Sequence, residues 1–94
     1  MATTAVIEKR VNEIFAIGFS YSAPDLEAGE TIITVTTTVG TGLTKVGDPG
    51  INITGDEVSQ VVSGGTALVD YTVTFLVTTS AGYVYEDLYI VKVV

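Results

Sequence analysis

Cysteine, histidine and tryptophan are all absent from this chain of 94 residues, and each absence removes a class of function. Without cysteine no disulfide can staple the fold, and without a Cys/His set the usual structural zinc sites cannot form. Without histidine the common Ser–His and Cys–His catalytic pairs lose their base. A serine nucleophile would need a lysine instead, yet no S-x-x-K spacing precedes Lys45 or Lys92. Cations are scarce: Lys9, Arg10, Lys45 and Lys92 stand against 11 acids, for a formal net charge of −7. Four scattered cations make no basic face for a phosphate backbone, so nucleic acid is not an expected partner, and the excess acid serves solubility. Long apolar runs are missing too. No window reaches the roughly 18 apolar residues of a membrane-spanning helix. The basic pair Lys9-Arg10 follows the first short apolar run instead of preceding it, so neither a signal peptide nor a membrane partner is expected.

What is present is a high apolar content, 47% of residues with only 16% charged, distributed with a period of two. A chain of this length is one domain with one core, which buries about two thirds of its unfolded surface. In Ile14–Tyr21 the large residues Phe15, Ile17, Phe19 and Tyr21 alternate with small ones, predicting a strand with one heavy face. In Thr31–Val39, Ile33, Val35 and Val39 are expected to share a face, with Thr34, Thr36 and Thr38 on the other. Pro24 and Gly29 place a loop between these two strands. Residues 40–54 read as two short strands around a tight turn at Asp48-Pro49-Gly50, and Glu57–Val62 as another strand closed by Ser63-Gly64-Gly65.

The clearest alternation follows: Tyr71, Val73, Phe75 and Val77 against Thr72, Thr74, Leu76 and Thr78, then a hairpin turn at Ser80-Ala81-Gly82. The returning segment 83–94 is apolar on both faces, which requires either a bulge or a second face covered by another subunit. The spacing predicts an all-β, immunoglobulin-like antiparallel β-sandwich of about seven strands spanning residues 13–94, preceded by an N-terminal arm at 1–12. Thr66 and Tyr71 are spaced as a tyrosine corner, in which a Tyr two residues before a core position bonds back to the preceding turn; Val73 is that core position.

Paired carboxylates occur at Asp25/Glu27/Glu30, Asp56/Glu57 and Glu86/Asp87. A glycosidase would need two of them opposed across a cleft that a sandwich this small rarely encloses, so they read as solvated turn acids. Asp48, Asn52, Asp56 and Glu57 lie close enough in sequence to suggest loop calcium ligands, but no D-x-[DN]-x-[DN]-G run supports it. No catalytic residue, cofactor or metal is therefore assigned. The expected contact surface is Tyr83, Tyr85, Tyr89, Val91 and Val93 on the last strand, together with Lys9 and Arg10 of the arm.

The order of several pieces resembles a family of small tailed-bacteriophage proteins, the fiber-tail adaptors or immunoglobulin-like virion components. The pieces are Lys9-Arg10 with Glu13, Phe19-Ser20, Leu26-Glu27-Ala28-Gly29-Glu30-Thr31-Ile32, Ser63-Gly64-Gly65-Thr66, and the Tyr71 strand with Thr78-Thr79-Ser80-Ala81-Gly82. The resemblance implies a non-enzymatic virion protein, made in the host cytoplasm, that docks on capsid or tail proteins as a decoration, cement or adaptor. Its partners would be other virion proteins, met as a homo-oligomer or symmetric array. The alternative reading is a carbohydrate- or host-surface-binding module displayed on the particle.

Overall fold

The computed structural model describes residues 4–21, 26, 28–53 and 55–94. Among them are seven strands: β1 (Thr4–Lys9), β2 (Phe15–Ser20), β3 (Ile32–Val39), β4 (Leu43–Ile51), β5 (Glu57–Gly64), β6 (Asp70–Thr79) and β7 (Val84–Val93). They form a four-stranded sheet in the order β1-β7-β6-β3 and a three-stranded sheet in the order β2-β5-β4. Every pairing is antiparallel except that of β1 with β7. The orders β7-β6-β3 and β2-β5-β4 are the two sheets of an immunoglobulin-type sandwich, with β1 placed at the edge of the first beside the last strand. The architecture expected from the two-residue period is the one observed.

Three local expectations change. The segment 1–12 does not stand apart as an arm: Thr4–Lys9 pairs with Leu88–Val93 in parallel register, so the sandwich begins at β1. Ile7, on the inward side of this strand, packs against the core. Residues 40–54 hold one strand instead of two. Between Val46 and Gly50 the register of β4 shifts, four residues spanning the same distance as two of β5, from Val61 to Ser59. Asp48-Pro49 is therefore a bulge in an edge strand, where a proline costs no ladder bond, and not a chain reversal. In β3 a second irregularity between Ile32 and Thr34 turns Ile33 outward, 56% exposed, away from the face it was expected to share with Val35 and Val39.

The core is built by inward-facing alternate residues of both sheets: Ile17, Val58 and Val62 from one, Tyr71, Val73, Phe75, Val77, Val91 and Val93 from the other. The Phe19 ring meets Phe75 edge-on, with centroids 5.4 Å apart. Gln60, fully buried and polar, crosses this core. Gln60 of β5 accepts a hydrogen bond from the Thr37 hydroxyl of β3 (2.6 Å) and donates to the carbonyls of Val46 (3.2 Å), Gly47 (3.1 Å) and Val61 (3.0 Å). Val46 and Gly47 sit where the bulge interrupts the ladder, so the amide supplies donors that the neighbouring strand does not. The tyrosine corner is present: the Thr66 N–H donates to the Tyr71 hydroxyl at 2.9 Å. β2 and β5 approach so closely at Gly18 that a Cβ there would lie 2.0 Å from the Val58 carbonyl oxygen.

Candidate interaction surface

Several of the described acids are tied into the fold. Asn52 holds the turn before β5: its Oδ1 accepts from the backbone N–H groups of Asp56 and Glu57, both at 2.9 Å, and its Nδ2 donates to the Asp56 carboxylate at 2.7 Å. The side chain offered as a calcium ligand is thus already used as a turn clamp. The adjacent pair Glu86/Asp87 is split by the pleat. Glu86 faces out, while Asp87 is buried and accepts a hydrogen bond from the Tyr21 hydroxyl. The Glu30 carboxylate accepts one from the Thr79 hydroxyl. Asp25 and Glu27 lie outside the described residues. Among the described residues no group of three or more Asp or Glu side chains could hold a metal ion.

The contact residues expected on β7 are placed mostly inside. Val91 and Val93 are buried core residues, and Tyr85 and Tyr89 are half-buried between the sheets. Tyr89 packs on Phe19 with centroids 4.9 Å apart, and Tyr85 stacks on Tyr21 at 6.1 Å. The cause is the β6–β7 register: Tyr71 lies opposite Val91, Val73 opposite Tyr89 and Val77 opposite Tyr85. Directly opposed residues share a face. Once the odd positions of β6 enter the core, the odd positions of β7 must follow. Tyr83, 52% exposed beside the hairpin turn, is the one aromatic of that set left outside, so no exposed aromatic platform of the kind a sugar would stack on is formed.

The basic pair divides as well. Lys9 is 0% exposed, and its ammonium donates to the carbonyls of Arg10 (2.9 Å), Val11 (3.3 Å) and Gly64 (2.8 Å). It ties the β1–β2 turn to the end of β5 and spends its three donors there. Arg10 is exposed, and the turn that presents it is bracketed by Glu13, whose carboxylate accepts from the Arg10 N–H at 2.7 Å.

The other face of the four-stranded sheet points away from the core. Along its middle run Val6 (56% exposed), Ile90, Leu88, Leu76 (42%) and Val84 (58%), with Leu88 and Ile90 half-buried. Val6 lies beside Ile90 in the β1–β7 register, and Leu88 beside Thr74 in the β6–β7 register. Thr72, Thr74 and Thr78 of β6 and Thr34, Thr36 and Thr38 of β3 cover the remainder with hydroxyls. Charges on this face are Glu8, Asp70, Glu86 and Lys92, and Lys92 lies 3.9 Å from Asp70. A row of Val, Leu and Ile side chains at least partly exposed on a sheet face is apolar surface of the kind a protein partner can cover. The expectation that segment 83–94 is apolar on both faces holds, and the parity of β6 is the signal for which of its faces points outward.

Residues 9–92 match the family described as podophage GP4 fiber-tail adaptor protein gp77. The chain belongs to this family. The match starts at the buried Lys9, runs through both sheets and covers nearly all of β7, so it takes in most of the core of the sandwich. No curated protein matches the chain. Membership in a fiber-tail adaptor family gives the chain a structural role in the phage virion.

Proposed function

We propose that this adaptor is a non-catalytic tail component that docks on neighbouring tail proteins through the outer face of its four-stranded sheet. The observation that carries the reading is the strip Val6, Ile90, Leu88, Leu76 and Val84, which the chain leaves uncovered although comparable residues elsewhere fill its core. Covering such a strip supplies the hydrophobic part of an interface, at about 25 cal/mol per Å² of apolar surface removed from water. The threonine rows beside it add hydroxyls that can bond a partner or stay hydrated without penalty. Tyr83 and Arg10, at opposite ends of the sandwich, supply secondary contacts at the rim. Repetition in a symmetric tail multiplies each contact, so a modest area per copy suffices.

The test is incorporation into particles. Tails assembled without the chain are supplied with wild type or with Leu76→Glu, a change at an exposed position that keeps the fold. Wild type should be taken up and the variant excluded. Equal occupancy of the two would reject this face as the docking surface.

A further inference from the structure

We infer that the free margin of β2 receives an extended strand from a different tail protein, a stretch uncharged along the pairing and flanked by a basic residue at the end that lies beside Ser20. This contact uses another surface than the sheet face above and stands or falls separately from it.

The place for such a strand is set by the topology. An immunoglobulin sandwich of seven strands ordinarily keeps its first strand beside the second, in a sheet of four. Here β1 joins the other sheet, and β2 is left at the end of the order β2-β5-β4. Its ladder with β5 uses one margin of Phe15–Ser20, and among the described residues no other backbone bonds to these six. Alternate N–H and C=O groups therefore point outward in a row that an extended backbone matches.

The other three margins carry the features by which sheet edges are kept from pairing. β4 has Lys45, Pro49 and a bulge. β3 has an irregularity between Ile32 and Thr34, and the Lys45 ammonium closes on its Thr37 carbonyl at 3.2 Å. β1 turns the charge of Lys9 inward and that of Glu8 outward. β2 has no charged residue, no proline and no register shift. Its outward side chains, Ala16, Gly18 and Ser20, are small enough for a second backbone to come close. On its inward side Phe15 and Phe19 pack against the core yet stay half-buried, so alternate apolar side chains of an incoming strand would carry the core past these two rings.

Charge decides between a second copy and a different protein. A second copy pairing β2 with β2 would run antiparallel and bring its Glu13 towards the Ser20 end of the first, where Glu57 lies opposite Ser20, and would do so twice. The second copy's remaining margins carry the protections just named. At the Ser20 end of the sandwich the described charged side chains, Glu30, Asp56, Glu57, Glu86 and Asp87, are all acids. A lysine or arginine beyond the paired stretch of another protein is their complement.

The probe is a short peptide of alternating valine and threonine with lysine at both ends, added to the full chain at about 1 mM. Hydrogen exchange at the β2 amides that do not bond β5, followed by NMR, should slow about tenfold, as for a ligand present at about ten times its Kd. The same peptide with every amide of its central stretch N-methylated should have no effect. In assembled tails, a photocrosslinking benzophenone side chain placed at the exposed Ala16, or at Ser20, should join a different tail protein at a segment that carries a lysine or arginine; circular dichroism confirms that each variant folds. Unchanged exchange with the first peptide, equal slowing by the methylated one, a crosslink to a second copy of this chain, or no crosslink from either position would overturn the inference. A crosslink from the same group at Leu76 but from neither β2 position removes the strand contact and leaves the docking face standing.

Discussion

Replacing Gln60 by leucine keeps the volume of the side chain roughly constant and removes its four hydrogen bonds, which makes it the sharpest test of how this sandwich is held together. The Thr37 hydroxyl is buried, and losing its acceptor costs about 1–3 kcal/mol. The carbonyls of Val46 and Gly47 belong to exposed residues of an edge strand, where water can replace part of what the amide supplied. They add about 1 kcal/mol together, which the gain in apolar contact offsets in part. The expected loss is about 3 kcal/mol. A domain of this size has about 5–14 kcal/mol in total, so the variant should fold. In urea, with a slope of about 1.5 kcal/mol per M, the midpoint should fall by about 2 M at constant slope. The double variant Thr37→Val with Gln60→Leu should regain at least about 1 kcal/mol relative to the sum of the two single losses, because no stranded hydroxyl or amide remains. A Gln60→Leu loss below about 1 kcal/mol, or singles that simply add, would refute the view that this amide bridges the two sheets.

Tyr71→Phe removes the acceptor of the Thr66 N–H and should cost about 1–2 kcal/mol, seen in thermal melts and as faster hydrogen exchange at the Thr66 amide; an unaltered exchange rate would mean that the corner bond contributes nothing. Gly18→Ala forces β2 away from the Val58 carbonyl and should destabilise by about 3 kcal/mol, since backbone cannot yield as a side chain would; a urea midpoint equal to wild type would contradict the close approach. Deleting residues 1–10 removes Ile7 from the core and Lys9 from its three carbonyls, for an expected loss of about 3 kcal/mol or more. If the truncated chain melts at the wild-type temperature, β1 is a dispensable arm after all.

The parts of this fold legible in the sequence are those whose two faces differ. β6 alternates Tyr71, Val73, Phe75 and Val77 with mostly hydroxyl residues, so its inward side was decided by the residues themselves. β2 was equally plain. The last strand was not: Tyr85, Tyr89 and Val91 are as apolar as Leu88 and Ile90, and only the register across the hairpin decides which set enters the core. That is why four of the β7 residues expected at the surface, Tyr85, Tyr89, Val91 and Val93, lie on its core side. β1 gives no such signal, because it is six residues long and pairs in parallel with a strand some 80 residues away, which leaves no turn nearby. β4 was divided because a proline inside a strand is tolerated only at an edge or a bulge, and neither property is visible along a single sequence. Lys9 was assigned outside by residue type; it is inside because three carbonyls converge on its ammonium.

The parallel seam between β1 and β7 governs the timing of folding. Thr4 can settle beside Leu88 only after the intervening strands have been made, and bringing such distant stretches together carries an entropic cost that neighbouring hairpins avoid. Until then the lone free margin of β7 is a vacant template, open to any extended strand that arrives first. Closure of this seam covers that margin and moves the open edge of the sheet to the six-residue β1, a shorter template than the ten-residue β7.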